Sequence, residues 1–321
     1  MIDQLQIMCV NFCSILNKLP SFYDLIHTYD PDIIVGCKSW LTNDILSSEI
    51  FPSNYTIFRK DRTLQHGGGV FLACRDSLSC VDIHLNNNCE AVVCQISLQN
   101  NRSLIICSFY RPPSNNMEYA TELCNLFRTI SLTYKNSLIW IAGNLNLPNI
   151  DWKHYNLQSS SQPLSLYNIF IDFILEFGFV QLVNFPTREQ SILDIFLTNF
   201  PSYEHTCQPL PGISDHKIVL IKSAVDIKLL KPTARKIYIW HKTDFESIRN
   251  MATEAANNFL SNYDMNTPID TFWNGFKRIC TTCLEQIPSR MTTKRINQPW
   301  PGPKLKLSVT PGKSRDYIIE L

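Results

Sequence analysis

Leu138-Ile139-Trp140-Ile141-Ala142-Gly143-Asn144-Leu145-Asn146-Leu147-Pro148 is the stretch on which the reading of this chain turns. Residues 138–142 are an apolar run of strand length. Glycine, two asparagines and a proline then close it. In open α/β sheets, polar residues just past the C-terminal ends of strands line a common cleft. Asn144 and Asn146 are therefore the first candidate site residues.

Working outward, other runs end the same way. Residues 4–10 read as a strand with Asn11 at its end. Residues 33–36 read as a short buried strand with Lys38 just beyond, and 103–109 as a strand followed by Tyr110. Further strand-like runs lie at 55–59, 70–74, 90–98, 192–197 and 218–221. Apolar residues at helical spacing predict helices over 15–26, 117–132 and 164–177, the last capped by Gly178. Gly67-Gly68-Gly69 fits a turn of positive φ and lacks the spacing of a phosphate loop. The alternation predicts an α/β protein: a mixed two-sheet sandwich with helices outside, over residues 1–225. Residues 226–321 form a basic, helical, linker-like appendage. It has a linker at 228–234, a strand-like segment at 235–240, helices at 245–259 and 269–284, and a loosely ordered end at 288–313.

Composition narrows the class. The chain has 321 residues, 45% of them hydrophobic, which suits one large domain and an appendage. No apolar run approaches the roughly 18 residues of a membrane span, and the start lacks a signal pattern. An intracellular protein, nuclear or cytoplasmic and not secreted, is expected. Most of the 12 cysteines, among them Cys9, Cys37, Cys94, Cys107 and Cys124, fall in strand or helix patterns and read as reduced, buried thiols. Cys280 and Cys283 make a lone CxxC on a helical pattern, so no zinc is expected. Residues 226–321 carry 15 Lys/Arg against 9 Asp/Glu, a net of +6, which leaves 1–225 at −5. Such a tail is compatible with contact to nucleic acid. The charged run Arg59-Lys60-Asp61-Arg62 reads as a solvated hairpin, and Trp40 and Trp152 as packing residues.

Three further motifs join the first: Phe185-Pro186-Thr187-Arg188, Ser191-Ile192-Leu193-Asp194 and Gly212-Ile213-Ser214-Asp215-His216. With Asn11, Trp40, Tyr110 and Asn146, their order resembles the endonuclease/exonuclease/phosphatase superfamily, whose fold is the DNase I-like two-sheet sandwich. The likeness is greatest to the endonuclease domain of jockey-type non-LTR retrotransposon polyproteins and spans residues 4–222. The appendage resembles the segment before reverse transcriptase in such elements, through Ser289, Lys294-Arg295 and Pro299-Trp300. No polymerase motif is present.

The resemblance implies a Mg2+-dependent DNA phosphodiesterase, a hydrolase that nicks DNA. Asn11 is then a ligand to metal-bound water. Tyr110, Asn146, Thr187 and Ser214 are phosphate-side groups. Asp194 orients His216, the phosphate-binding imidazole, and Asp215 is a metal-side carboxylate. Two positions depart. The family's Glu-Thr-Trp-Leu is Lys38-Ser39-Trp40-Leu41 here, and its Gly-Asp-Phe-Asn is Gly143-Asn144-Leu145-Asn146. An ammonium has no lone pair for a metal. An amide does not take a proton near neutral pH. At an effective dielectric of ~20, unit charges about 4 Å apart interact by about 4 kcal/mol, and a divalent ion doubles that repulsion. Loss of a general base costs ~10²–10⁴ in rate. Cys13 also stands where the family has arginine.

Weak magnesium binding and impaired cleavage are expected, in a monomer. The alternatives are a non-catalytic nucleic-acid-binding module, with Lys38 pairing Asp215 in the metal's place, and a functionless element remnant. Other branches of the superfamily act on abasic DNA, inositol phosphates, sphingomyelin or poly(A).

Overall fold

Apolar runs long enough for a strand and too short for a helix recur through the first two hundred residues, and they pair into two sheets. The computed structural model describes residues 4–62, 67–157, 163–203, 205–227, 235–262 and 267–292. Contacts divide the chain into two units, Met1–Leu230 and Lys231–Leu321.

In the first unit the order is β1 (Leu5–Asn11), α1 (Leu19–Tyr29), β2 (Ile33–Cys37), α2 (Ser47–Ile50), β3 (Tyr55–Lys60), β4 (Val70–Arg75), β5 (Cys80–Asp82), β6 (Glu90–Ser97) and β7 (Ser103–Tyr110). There follow α3 (Met117–Thr133), β8 (Leu138–Asn144), β9 (Ile150–Asp151), β10 (Asn156–Leu157), α4 (Leu164–Glu176), β11 (Val180–Gln181), β12 (Asp194–Thr198), β13 (His205–Leu210) and β14 (Ile218–Ser223). One six-stranded sheet runs β13-β14-β1-β2-β4-β3, and the other β11-β12-β8-β7-β6-β5. Each sheet has one parallel pair, β1–β2 or β7–β8, flanked by antiparallel neighbours. Parallel neighbours need a long crossover. α1 and α3 supply it.

Strand parity separates three apolar layers. Leu138, Trp140 and Ala142 of β8 join Leu5, Ile7, Val35 and Leu72 between the sheets. Ile139 and Ile141 face the other way, onto α3 and α4 with Phe127, Phe170 and Phe173. Met8, Val10 and Ile34 pack under Phe22 of α1. The central strands are thus covered on both faces, which is why they read as unbroken apolar runs. Asn116 caps α3 by accepting from the Tyr119 N–H at 3.0 Å. Gly178, at φ +66°, closes α4.

The second unit pairs β15 (Arg235–Tyr238) with β16 (Ser289–Thr292) beside the helices α5 (Phe245–Asn262) and α6 (Ile269–Glu285). Phe259 and Phe272 meet at 4.8 Å between ring centroids. Ser289–Thr292, read above as the start of a loose end, are paired strand instead. The linker 228–234, His66, Lys294-Arg295, Pro299-Trp300 and the rest of the expected tail lie outside the described residues.

The charged run 59–62 is also corrected. Arg59 is ion-paired to Asp61 at 2.7 Å, Lys60 donates to the Asn87 carbonyl at 2.8 Å, and Arg62 is paired with Glu90. None of the four side chains is fully exposed. All 12 cysteines are free, and seven of them are buried. Among the described residues no helix is long and apolar enough to cross a membrane.

Candidate functional site

The two parallel pairs end at the same edge of their sheets, and the candidate residues sit at those ends. In the second sheet three of them, Tyr110, Asn144 and Asp194, share one rung with Glu90. Glu90 is the register partner of Tyr110, Tyr110 of Asn144, and Asn144 of Asp194. Residues on one rung project to one face. Their parity matches Val92, Trp140 and Phe196, so they face the inter-sheet layer at its polar rim. Asn11 has the parity of Ile7 and Cys9 and faces the same layer from the first sheet. Gly143 makes the rung possible. Its φ is +155°, and a Cβ there would lie 1.9 Å from the Phe109 carbonyl oxygen.

One half of the cleft is built around His216. Its Nδ1 lies 2.6 Å from Asp194 Oδ2, with both side chains buried. Its Nε2 is buried and has no hydrogen-bond partner among the described residues, nor has either polar atom of the Asn144 side chain. Thr187, fully buried, accepts at Oγ1 from the N–H groups of Leu193 (3.0 Å) and Asp194 (3.1 Å). It thereby fixes the start of β12 and the carboxylate that holds His216. Ser214 Oγ donates to the Asn11 carbonyl at 2.5 Å and ties the histidine loop to the end of β1. Asn146 Nδ2 donates to the Arg111 carbonyl at 2.6 Å. Buried Arg111 returns bonds to the carbonyls of Asn146, Pro112 and Ser114. Burial raises the Tyr110 hydroxyl to about 12, with Cys37 and Glu90 adding to the effect, so it remains a donor at neutral pH.

The other half is built around Cys13. Its Sγ lies 3.4 Å from both Asn11 Oδ1 and Asp215 Oδ1, and Lys38 Nζ lies 3.8 Å from that sulfur. Burial raises the Cys13 thiol, against the pull of Lys38, and Asp215 raises it further, so it is a thiol and not a thiolate. Asp215 Oδ2 is ion-paired to Arg188 at 3.1 Å. Burial alone would raise the Asp215 carboxyl; the Cys13 thiol, His216, Arg188 and Lys38 outweigh it and hold the group below the usual aspartate range. Among the described residues Lys38 has no carboxylate within 4.0 Å, and its Nζ stands 5.6 Å from the Tyr110 ring centroid. The expected Lys38–Asp215 pair is thus replaced by Arg188–Asp215, and Lys38 is left with the thiol and the ring.

Five residues of these loops have positive φ without being glycine: Cys13 (46°), Ser14 (81°), Lys38 (51°), Trp40 (57°) and Asn146 (53°). Such conformations cost about 1–3 kcal/mol each and persist only where the surroundings enforce them. Lys18 enforces the first two, donating to the carbonyls of Cys13 (2.7 Å) and Ser14 (3.3 Å). The N–H groups of Ser39 and Trp40 bond the carbonyls of Gly69 and Gly68, whose φ values are positive as the sequence predicts.

Magnesium takes oxygen ligands in near-octahedral geometry, usually with one or two carboxylates. Here Asp215 is held by Arg188 and Cys13, and Asp194 by His216. Glu90 is held by Arg62 and by the Gly69 N–H at 2.5 Å. An ammonium and a thiol occupy the remaining positions around Asn11. Among the described residues no three of His, Cys, Asp or Glu converge as a metal site. The residues present do not fit a magnesium ion.

Sequence reading missed Glu90 and gave Arg111 and Arg188 no role of their own. A buried glutamate opening an apolar strand, and an arginine between tyrosine and two prolines, were the signals available.

A family model described as endonuclease-reverse transcriptase matches residues 104–220. That span holds the His216 half of the cleft and Asp215, and leaves out Asn11, Cys13 and Lys38. Three solved structures share the fold. The endonuclease domain of TRAS1, a telomere-specific non-LTR retrotransposon, superposes with a TM-score of 0.52 at 15% identity, covering 68% of this chain and 98% of that one. The Xenopus laevis APE2 catalytic domain gives 0.56 at 15%, covering 70% and 93%. An AP endonuclease from Archaeoglobus fulgidus gives 0.51 at 15%, covering 68% and 98%. Comparison with curated protein sequences finds no match.

Proposed function

We propose that this chain is a retrotransposon-type DNA endonuclease domain of the endonuclease/exonuclease/phosphatase superfamily, one that keeps its phosphate-handling residues and has lost most of its cleavage. The observation that carries this reading is the Lys38–Cys13–Asp215–Arg188 cluster, in which Arg188 and the Cys13 thiol hold the one carboxylate and Lys38 faces that thiol. Hydrolysis of a phosphodiester by this family's route needs a divalent ion on the phosphate, an activated water and donors for the developing charge. The donors remain: Tyr110, Asn146, and His216 set by Asp194. The cation site and the water-activating carboxylate, at Lys38 and Asn144, do not.

Binding of nucleic acid without cutting is the activity such a cleft supports. Asn11 Nδ2, the Asn144 amide and His216 Nε2, buried and without a hydrogen-bond partner among the described residues, favour it, because such atoms are costly unless a ligand or water meets them.

The test is nicking of supercoiled plasmid by the full chain, with and without magnesium, beside Lys38→Glu/Asn144→Asp. No nicking by the parent and metal-dependent nicking by the double variant is the expected result. Parent nicking that needs magnesium and vanishes in His216→Ala would overturn it. A folded but inactive double variant would place the loss deeper than these two positions.

A further inference from the structure

Where its relatives' pattern places a metal-binding glutamate, this chain puts a lysine without a carboxylate partner. Lys38 is half-buried and held in a left-handed conformation at the end of β2. Its ammonium faces the Cys13 sulfur and the Tyr110 ring, while the nearby carboxylate is committed to Arg188. Three buried polar groups at neighbouring strand ends have no hydrogen-bond partner among the described residues: Asn11 Nδ2, the Asn144 amide and His216 Nε2. Asn11 and Asn144 end β1 and β8. His216 is bound to Asp194, the register partner of Asn144. An amide N–H, a second amide and an imidazole beside a fixed ammonium complement a tetrahedral anion, and a cation would be repelled.

Resting on the reading that the cleft receives a nucleic-acid backbone, we infer that it is a metal-free phosphodiester clamp, in which Lys38 supplies the charge that a divalent ion supplies elsewhere. Asn11, Asn144 and His216 take the phosphate oxygens, and Arg188 keeps Asp215 from opposing the phosphate. Magnesium then gives no increase in affinity at matched ionic strength. Lys38→Glu removes the ammonium, adds a carboxylate beside Asp215 and turns the dependence around.

The experiment is fluorescence anisotropy of a labelled duplex oligonucleotide with the full chain, in EDTA and in magnesium at equal ionic strength. His216→Ala separates binding in the cleft from binding by the basic appendage. The parent is expected to bind equally, within about twofold, in both buffers. Lys38→Glu is expected to lose about tenfold in EDTA and to recover part of it with magnesium; one phosphate contact also lowers the salt slope by about one. Lys38→Arg should retain binding, and Lys38→Gln should lose it without regaining it in magnesium. Circular dichroism melts establish that each variant is folded.

Cleft-dependent binding that rises fivefold or more with magnesium in the parent overturns the clamp and leaves the binding reading standing. Binding untouched by Lys38→Glu, Lys38→Gln and His216→Ala places the DNA outside the cleft and overturns the clamp. No binding at all overturns both.

Discussion

The two halves of the cleft differ in what has been kept. Around His216 the chain has buried atoms, short hydrogen bonds and a rung of register partners. Asp194, Thr187, Ser214 and the backbone of Asn11 hold the imidazole in one place. Around Cys13 the contacts are longer, at 3.4–3.8 Å to sulfur, and the one ion pair is between partly exposed groups. The first half is locked by the same hydrogen bonds that close the sandwich, so changing it costs folding stability. The second half consists of side chains at loop ends, where a substitution costs little stability. The charge pattern of the cleft can therefore change while its frame persists.

The largest effect that would break this comparison is catalytic. Restoring both acids, with Lys38→Glu and Asn144→Asp, is expected to raise magnesium-dependent nicking by at least ~10², as measured on plasmid gels, because a general base alone has that worth. Next is the frame itself. Gly143→Ala sets a methyl group against the Phe109 carbonyl and is expected to cost about 3 kcal/mol or more in urea unfolding. An unchanged midpoint would show that β7 and β8 can separate there.

Thr187→Val should cost about 1–3 kcal/mol, since it strips two buried N–H groups of their acceptor. The same measurement on Cys13→Ser should show a smaller change, and an equal loss would erase the contrast between the halves. Smallest is Arg188→Ala, at no more than about 0.5 kcal/mol, because the pair is partly exposed. Its pH sign is fixed. The Asp215 carboxyl is held low in the folded state, so its contribution is present above the unfolded value of about 3.9 and fades as pH falls through the folded one. A loss that grew toward alkaline pH would contradict the assignment.

The sandwich was legible because strands covered on both faces read as apolar runs, as in 138–142, and because helix periodicity marked α1, α3 and α4. Three strands of the two six-stranded sheets were not legible. β5 and β11 are short, and β13 contains Pro209, which has no N–H for a ladder and is tolerated there because β13 is an edge strand. The candidate residues were visible by their order along the chain. Their partners were not. That Arg188 takes Asp215, that Arg62 takes Glu90, and that Lys38 turns to a thiol all depend on loops brought together across long sequence separations. The hairpin expected to be solvated failed for the same reason, because its charges find partners at Asn87 and Glu90.

The left-handed residues at the loop ends offer a gauge of use. Conformational tension of this kind is retained where a task repays it, and drifts away where none does. In an idle cleft, Lys38→Gly releases tension at little loss and raises the melting temperature. In a working one the same change loosens the grip on a ligand while the protein grows sturdier. The sign of that trade reports whether this pocket is a tool or a fossil.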